Sequence, residues 1–182
     1  MRVQRKHGAP AAVVLVVLVV LAVGTAQVGA SPTREERWKG AETLELVTIG
    51  PALDRCGPPP IYLEGRFVGT GLDSIGGAFV VAASGCLDTQ ALRLFDLEAT
   101  DTFTASGASL TIVPEDVDLD LNTSTCVAVN RQPVPFTVAA GTGALEGAAG
   151  HGTFDLALSY PPCGGAAQPA HVWFKGVLQL PG

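Results

Sequence analysis

The sequence predicts an all-β protein, an antiparallel barrel of about eight strands, and two observations lead to this fold class. Apolar and polar residues alternate along eight segments, and no long segment has helical periodicity. Short turns rich in glycine and proline separate the segments, with no helical crossover between them. Strands in such a meander either stack as a β-sandwich or close into an up-and-down, calycin-like barrel. We expect the barrel, because closure leaves no unpaired strand edge, and a β-sandwich is the alternative.

The first 30 residues have the three-part pattern of a signal peptide. Residues 1–10 carry three basic and no acidic side chains, residues 13–23 are all apolar, and residues 28–30 include small side chains before a cleavage point. We therefore expect cleavage after Ala30 and a protein that is secreted or held in the cell envelope. An uncleaved membrane anchor is the alternative, because residues 11–30 are long enough to span a bilayer.

The remaining chain predicts one domain after a short charged segment. Residues 31–43 are charged and are expected to form an exposed lead-in, and residues 44–182 are expected to form a single barrel domain. Within the predicted strand 108–121, Pro114 is expected to break the strand or to place a bulge in it. The predicted strands are residues 44–49, 61–70, 74–83, 91–105, 108–121, 126–140, 149–160 and 170–180.

Four cysteines follow the signal segment, and an even number in an exported protein predicts two disulfides. Residues that face each other across a hairpin are equidistant from its turn. Cys56 and Cys86 are equidistant from Gly71, and Cys126 and Cys163 from a point beside Leu145. We therefore expect the pairs Cys56–Cys86 and Cys126–Cys163. No Cys-x-x-Cys spacing supports a zinc site instead.

The segment from residue 135 to residue 160 predicts a β-hairpin with a glycine-rich turn. Its sequence from residue 138, VAAGTGALEGAAGHGTF, has a glycine-threonine-glycine turn, an apolar Leu145, and further glycines before an apolar strand. An alternating strand follows these glycines, whereas a phosphate-binding loop leads into a helix, so they indicate turn geometry. This stretch of about 17 residues resembles the turn of dirigent proteins and allene oxide cyclases, and of small secreted bacterial proteins with the same barrel.

The resemblance implies an eight-stranded barrel that forms oligomers in the plant families. Those plant proteins bind apolar or phenolic molecules inside the barrel and direct their cyclisation or coupling. They usually have an aromatic residue where this chain has Leu145. No position of this chain matches their cavity acids and bases, so the resemblance assigns no catalytic residue here.

Charge and motifs exclude several other classes. The full chain has 11 basic and 17 acidic residues, and removal of the signal leaves 8 basic ones. Such an acidic surface argues against nucleic acid and against anionic lipid as partners, so we expect no membrane contact after signal cleavage. The acidic run from Glu115 to Asp120 is expected to form a solvated strand face, because carboxylates two residues apart are too widely spaced for one calcium ion. We expect no cofactor, no metal and no catalytic signature.

The remaining function classes depend on a pocket inside the barrel. Six polar or aromatic residues are the candidates to line it, although a register error of one residue would reverse their orientation: Tyr62, Arg66, Arg93, Tyr160, His171 and Trp173. We expect a binding module for a small apolar molecule or an envelope partner. The alternatives are an isomerase of the allene oxide cyclase or dirigent type, and a structural envelope protein without a site.

Overall fold

The computed structural model describes residues 33–160 and 168–182. These ranges contain ten β-strands and one turn of 3₁₀ helix at Gly143–Leu145. The strands are β1 (Arg34–Gly50), β2 (Tyr62–Asp73), β3 (Ala78–Asp88), β4 (Arg93–Phe103), β5 (Ser109–Pro114), β6 (Val117–Asn122), β7 (Val127–Asn130), β8 (Val134–Gly141), β9 (Ala149–Ser159) and β10 (Ala170–Leu180). The predicted signal segment lies outside the described residues.

Eight of the strands form a closed antiparallel barrel, which confirms the predicted fold class over the β-sandwich. The order around the barrel is β1-β2-β3-β4-β5-β8-β9-β10. The sheet closes because β10 pairs with β9 on one side and with β1 on the other. Closure gives every barrel strand two hydrogen-bonded neighbours and leaves no edge for another chain to extend.

The two further strands, β6 and β7, form a hairpin that lengthens one side of the barrel. β5 ends at Pro114, whose nitrogen has no hydrogen to donate. β6 then pairs with β4 in the same register that β5 uses, with Arg93 opposite Asp118 and Thr100 opposite Thr111. Pro114 therefore interrupts one strand line, as the sequence predicts.

The first strand begins earlier than the sequence suggested. Residues 34–43, expected to be an exposed lead-in, form the first part of β1 and pair with β10. The side chains at positions 38, 40, 42 and 44 share the inner face, and Trp38 is almost completely buried. Four charged residues of this segment are exposed, Arg34, Glu35, Arg37 and Lys39, and their number concealed the strand in the sequence.

The β8–β9 hairpin has the predicted form, and its glycines also have a packing role. Phe136 lies opposite Gly152 and Val138 lies opposite Gly150. A Cβ atom on Gly152 would come within 2.5 Å of the Phe136 ring and 2.4 Å of the Lys175 carbonyl oxygen. Glycine at this position therefore leaves room for a large inner side chain.

The disulfide between Cys56 and Cys86 is present, although the register argument for it was wrong. The β2–β3 turn lies beyond Asp73, with Leu72 opposite Ala78, so the hairpin is not centred on Gly71. Cys56 lies in the loop between β1 and β2, and Cys86 lies within β3. The predicted Cys126–Cys163 pair stays a prediction, because Cys163 lies outside the described residues. No described cysteine is a free thiol.

Aromatic side chains fill the end of the barrel at which β1 begins, called here the closed end. The Trp38 ring lies 4.9 Å from the Phe174 ring and 5.6 Å from the Phe136 ring. Phe79 packs against both Phe103 and Phe174. The Trp38 Nε1 atom donates a 2.7 Å hydrogen bond to Asp73, whose other carboxylate oxygen accepts three backbone amides of the β2–β3 turn. This end of the barrel therefore has a packed core.

Candidate functional site

Beyond the closed end, the barrel interior contains an apolar cavity of about 110 Å³. Four phenylalanine rings border it, Phe67, Phe136, Phe154 and Phe174, together with aliphatic side chains from β1, β4, β9 and β10. A second cavity of about 80 Å³ extends the first. The two share six lining residues: Leu44, Phe67, Leu94, Leu97, Leu158 and Ala170.

Both cavities have an exposed residue in their lining, so each reaches solvent. Glu98 borders the first cavity, and its side chain is exposed. Ile49 and Gln168 border the second cavity and are also exposed. The combined space is bordered by aromatic rings towards the closed end, and its exposed lining residues are Glu98, Ile49 and Gln168.

Two acidic side chains, Glu42 and Asp101, line the first cavity. Glu42 lies on the inner face of β1, opposite Gly71 of β2 and Val172 of β10. Asp101 lies on β4, opposite Val81 and Leu110. The strand alternation that buries Leu44 and Phe103 therefore also turns these two carboxyl groups inward.

Asp101 is only 1% exposed, and neither of its carboxyl oxygens has a hydrogen-bond partner among the described protein atoms. Loss of hydration, and to a smaller extent the negative charges of Glu42 and Asp73, together raise the pKa of this carboxyl from 3.8 to about 8. Burial also raises the pKa of Glu42, to about 7. An unpartnered buried carboxyl group costs free energy, and such groups are concentrated at functional sites.

Among residues 33–160 and 168–182, no lysine, arginine or histidine lines either cavity. The basic side chains near these strands pair instead on the outer surface. Arg55 bonds to Glu64, Asp96 and the Ser84 hydroxyl group. The described part of the protein therefore offers the two buried carboxyl groups no counter-ion inside the cavity.

One of the six predicted pocket residues lines a cavity. Tyr160 is buried and borders the second cavity. Tyr62 lies at the start of β2 and packs edge-on against Phe95, with the two ring centres 6.0 Å apart. It borders neither of the two cavities.

The other four predicted residues are exposed on the outer surface. Arg66 is within ion-pair distance of Glu64, and Arg93 pairs with Asp116 of the acidic run. His171 and Trp173 stack on the outer face of β10 with ring centres 6.0 Å apart. The residues that alternate with them along β10 are apolar and face the barrel interior. Burial of this apolar face therefore leaves His171 and Trp173 on the outer surface.

The acidic run lies on the outer surface, as predicted. Asp116, Asp118 and Asp120 are exposed, while Val117 and Leu119 are buried between them. Asp116 pairs with Arg93, and Asp120 accepts a 2.8 Å hydrogen bond from Arg131. No cluster of three potential metal ligands occurs within residues 33–160 and 168–182. In the same ranges, no helix has both the length and the apolar character needed to cross a membrane.

Sequence reasoning missed Glu42 and Asp101, although Asp101 leaves a signal in the sequence. Leu97, Ala99, Asp101 and Phe103 alternate on one strand face, so an acid stands in an otherwise apolar row. Glu42 holds the same place between Trp38 and Leu44, but it fell within the expected lead-in. In both strands the informative feature is a polar residue on the face that the pattern assigns to the core.

The fold and the cavity together define a closed antiparallel barrel with an apolar interior that holds the carboxyl groups of Glu42 and Asp101. Such a space can enclose the apolar part of a small molecule while the carboxyl groups contact its polar atoms. Comparison of the chain with protein-family models, curated proteins and solved structures finds no match in any of the three. The resemblance of the β8–β9 turn to dirigent proteins and allene oxide cyclases therefore stays a prediction.

Proposed function

We propose that this protein is a secreted binding module whose barrel holds a small, largely apolar molecule. The observation that carries the proposal is the cavity itself, which has an apolar wall, the buried carboxyl group of Asp101 without a partner among the described protein atoms, and the half-buried carboxyl group of Glu42. A protein selected for stability alone would fill this space and replace the acids with apolar side chains. A ligand that occupies the cavity would explain why the protein keeps the unfilled space and the acidic side chains in spite of their cost in stability.

The size of the space fits a small ligand. An apolar protein cavity of about 150 Å³ can bind benzene. The two cavities measure about 110 Å³ and about 80 Å³ and share part of their walls. A single ring or a short alkyl chain therefore fits, and larger molecules would require the barrel to expand.

Two neighbouring alanines of β3 allow a matched test of the proposal. Ala83 lines the first cavity, whereas Ala82 is exposed on the outer face. The folded protein is titrated with benzene and with 1-hexanol, and the binding is monitored by NMR through the amide chemical shifts. Residues around the cavity should show chemical-shift changes that saturate. Ala83→Leu should weaken these changes at least about tenfold by occupying the space, and Ala82→Leu should leave them as they are. Absence of saturable binding of either probe would contradict the proposal.

Proton transfer is a second candidate function, and the carboxyl groups favour it. Effective general acids and bases have pKa values near the working pH, and those of Glu42 and Asp101 are raised to about 7 and about 8. An isomerase of the kind implied by the hairpin resemblance would use such groups in a water-poor cavity. Exchange of solvent deuterium into the α-carbons of cyclohexanone, reduced in Glu42→Gln and Asp101→Asn, would support it. Exchange at the buffer rate would contradict it.

A further inference from the structure

We propose that the ligand is a small organic cation, with its ammonium group bound between Glu42 and Asp101 and its apolar part in the two connected cavities. This inference rests on the proposed binding function and specifies the chemistry of its ligand. Three features of the cavity support a cation over a neutral or anionic molecule: its charge, its hydrogen-bonding groups and its aromatic wall.

The charge of the cavity is negative and uncompensated. Glu42 and Asp101 line it from two separate strands, and the exposed Glu98 borders the same space. No basic side chain lines either cavity within the described residues. A cationic ligand would supply the missing counter-charge, whereas a carboxylate ligand would add a third buried negative charge.

The hydrogen-bonding groups of the cavity are complementary to a donor-rich ligand. When both carboxyl groups are ionised they only accept hydrogen bonds, and both oxygens of Asp101 have no protein donor. In the first cavity, the one hydroxyl group among the described lining residues is that of Ser84, and it already bonds to Arg55. An ammonium group brings three donors and could satisfy both carboxylates with charge-assisted bonds.

The aromatic wall gives a further, independent preference for a cation. Phe67, Phe136, Phe154 and Phe174 all border the first cavity. The face of a phenylalanine ring attracts a cation, and the attraction is larger where water is excluded. The cavity therefore combines carboxylates with rings, and both kinds of group favour an ammonium ion.

Ligand binding of this kind depends on pH, since the carboxyl groups must be ionised. The titratable groups that face Glu42 and Asp101 are Asp73 at the end of β2, Glu98 on β4 and Tyr160 in the second cavity, while β5, β8 and β10 contribute only apolar side chains to the lining. Glu42 and Asp101, whose pKa values are raised to about 7 and about 8, both lose negative charge on acidification, so their effects on cation binding have the same sign. Binding of a cation should therefore strengthen as the pH rises from 6 to 8.5.

Three probes of equal chain length test the proposal by isothermal titration calorimetry of the oxidised, signal-free protein. They are hexylamine, which is cationic, 1-hexanol, which is neutral, and hexanoate, which is anionic. At pH 8.5 hexylamine should bind at least about tenfold more tightly than 1-hexanol, and hexanoate should bind most weakly. At pH 6 the affinity for hexylamine should fall at least about tenfold, while that for 1-hexanol should change little.

Two variants and one control connect the preference to the two acids. Glu42→Gln and Asp101→Asn should each reduce hexylamine affinity at pH 8.5 about tenfold or more and leave 1-hexanol binding intact. The control is Glu45→Gln, which removes a negative charge from the exposed outer face of the same strand and should have little effect.

The outcomes separate this inference from the proposed function. Equal binding of hexylamine and 1-hexanol at pH 8.5, or amine binding that does not change with pH, would overturn the cation inference and leave the binding module standing. Failure of all three probes to bind would overturn both. The pH comparison uses the unmodified protein, so the test does not depend on the folding of any variant.

Discussion

The buried carboxyl group of Asp101 should make the stability of the folded protein fall as the pH rises. Its pKa is raised from 3.8 to about 8 on folding, so the folded state holds this proton more tightly than the unfolded state does. Deprotonation therefore favours unfolding, and the loss accumulates between about pH 4 and about pH 8. Between the two pKa values, each pH unit lowers the free energy of unfolding by about 1.4 kcal/mol. Asp101 should therefore lower it by about 4 kcal/mol between pH 5 and pH 8.

Asp101→Asn removes the titration and keeps the size of the side chain. Relative to the unmodified protein, the variant should therefore gain about 4 kcal/mol in free energy of unfolding between pH 5 and pH 8. For a domain of this size that corresponds to a difference in Tm of about 8–16 °C. Urea unfolding at four pH values, with the Cys56–Cys86 disulfide intact, measures the change directly.

The matched control is Asp54→Asn, a change of the same chemistry at an exposed position in the loop between β1 and β2. Its unfolding free energy should stay within about 0.5 kcal/mol of the unmodified protein at every pH. A difference between Asp101→Asn and the unmodified protein that stays constant from pH 5 to pH 8 would refute the reasoning. That result would mean that the carboxyl group is solvated or paired in solution.

Three further predictions concern the scaffold and can be checked by the same unfolding experiment. Loss of the Cys56–Cys86 disulfide in Cys86→Ala should cost about 3–4 kcal/mol, because the bond closes a loop with a sequence separation of 30 residues; no loss would contradict this. Gly69→Ala should lower the free energy of unfolding by at least about 2 kcal/mol, because the added Cβ would lie 2.0 Å from a backbone oxygen. Gly50→Ala is the control, since a Cβ there meets open space, and it should lower the free energy by less than about 1 kcal/mol; equal effects would contradict the close approach at Gly69. Trp38→Ala should cost about 3–5 kcal/mol, because the ring is buried at the closed end and its Nε1 atom bonds to a carboxylate; a cost under about 1 kcal/mol would show that this end is loosely packed.

The parts of the fold that sequence predicted are those that depend on local pattern. Alternation placed most strands within a few residues, Pro114 marked the interruption between β5 and β6, and the glycines marked the β8–β9 turn. The antiparallel order followed from the short connections. In each of these cases the cause lies within a few residues of its effect.

The parts that sequence did not predict depend on register between strands. The β2–β3 turn lies several residues beyond Gly71, so the correct cysteine pair was chosen for a wrong reason. The charged start of β1 is a strand because it pairs with β10, a partner more than 120 residues away. Pairing over such a distance leaves no mark in local periodicity.

Strand alternation and turn chemistry are local properties of the chain, and they predicted the all-β class, the antiparallel arrangement and the β8–β9 hairpin. They did not predict that two of the eight expected segments are each divided, which gives ten strands. The packing of the whole barrel establishes which strand faces enclose the interior. It places Arg66, Arg93, His171 and Trp173 on the outer surface and Glu42 and Asp101 in the lining of the cavity. The physical reason is the period of two along a strand. The same alternation fits either face until the packing of all eight strands around one core fixes which side is buried.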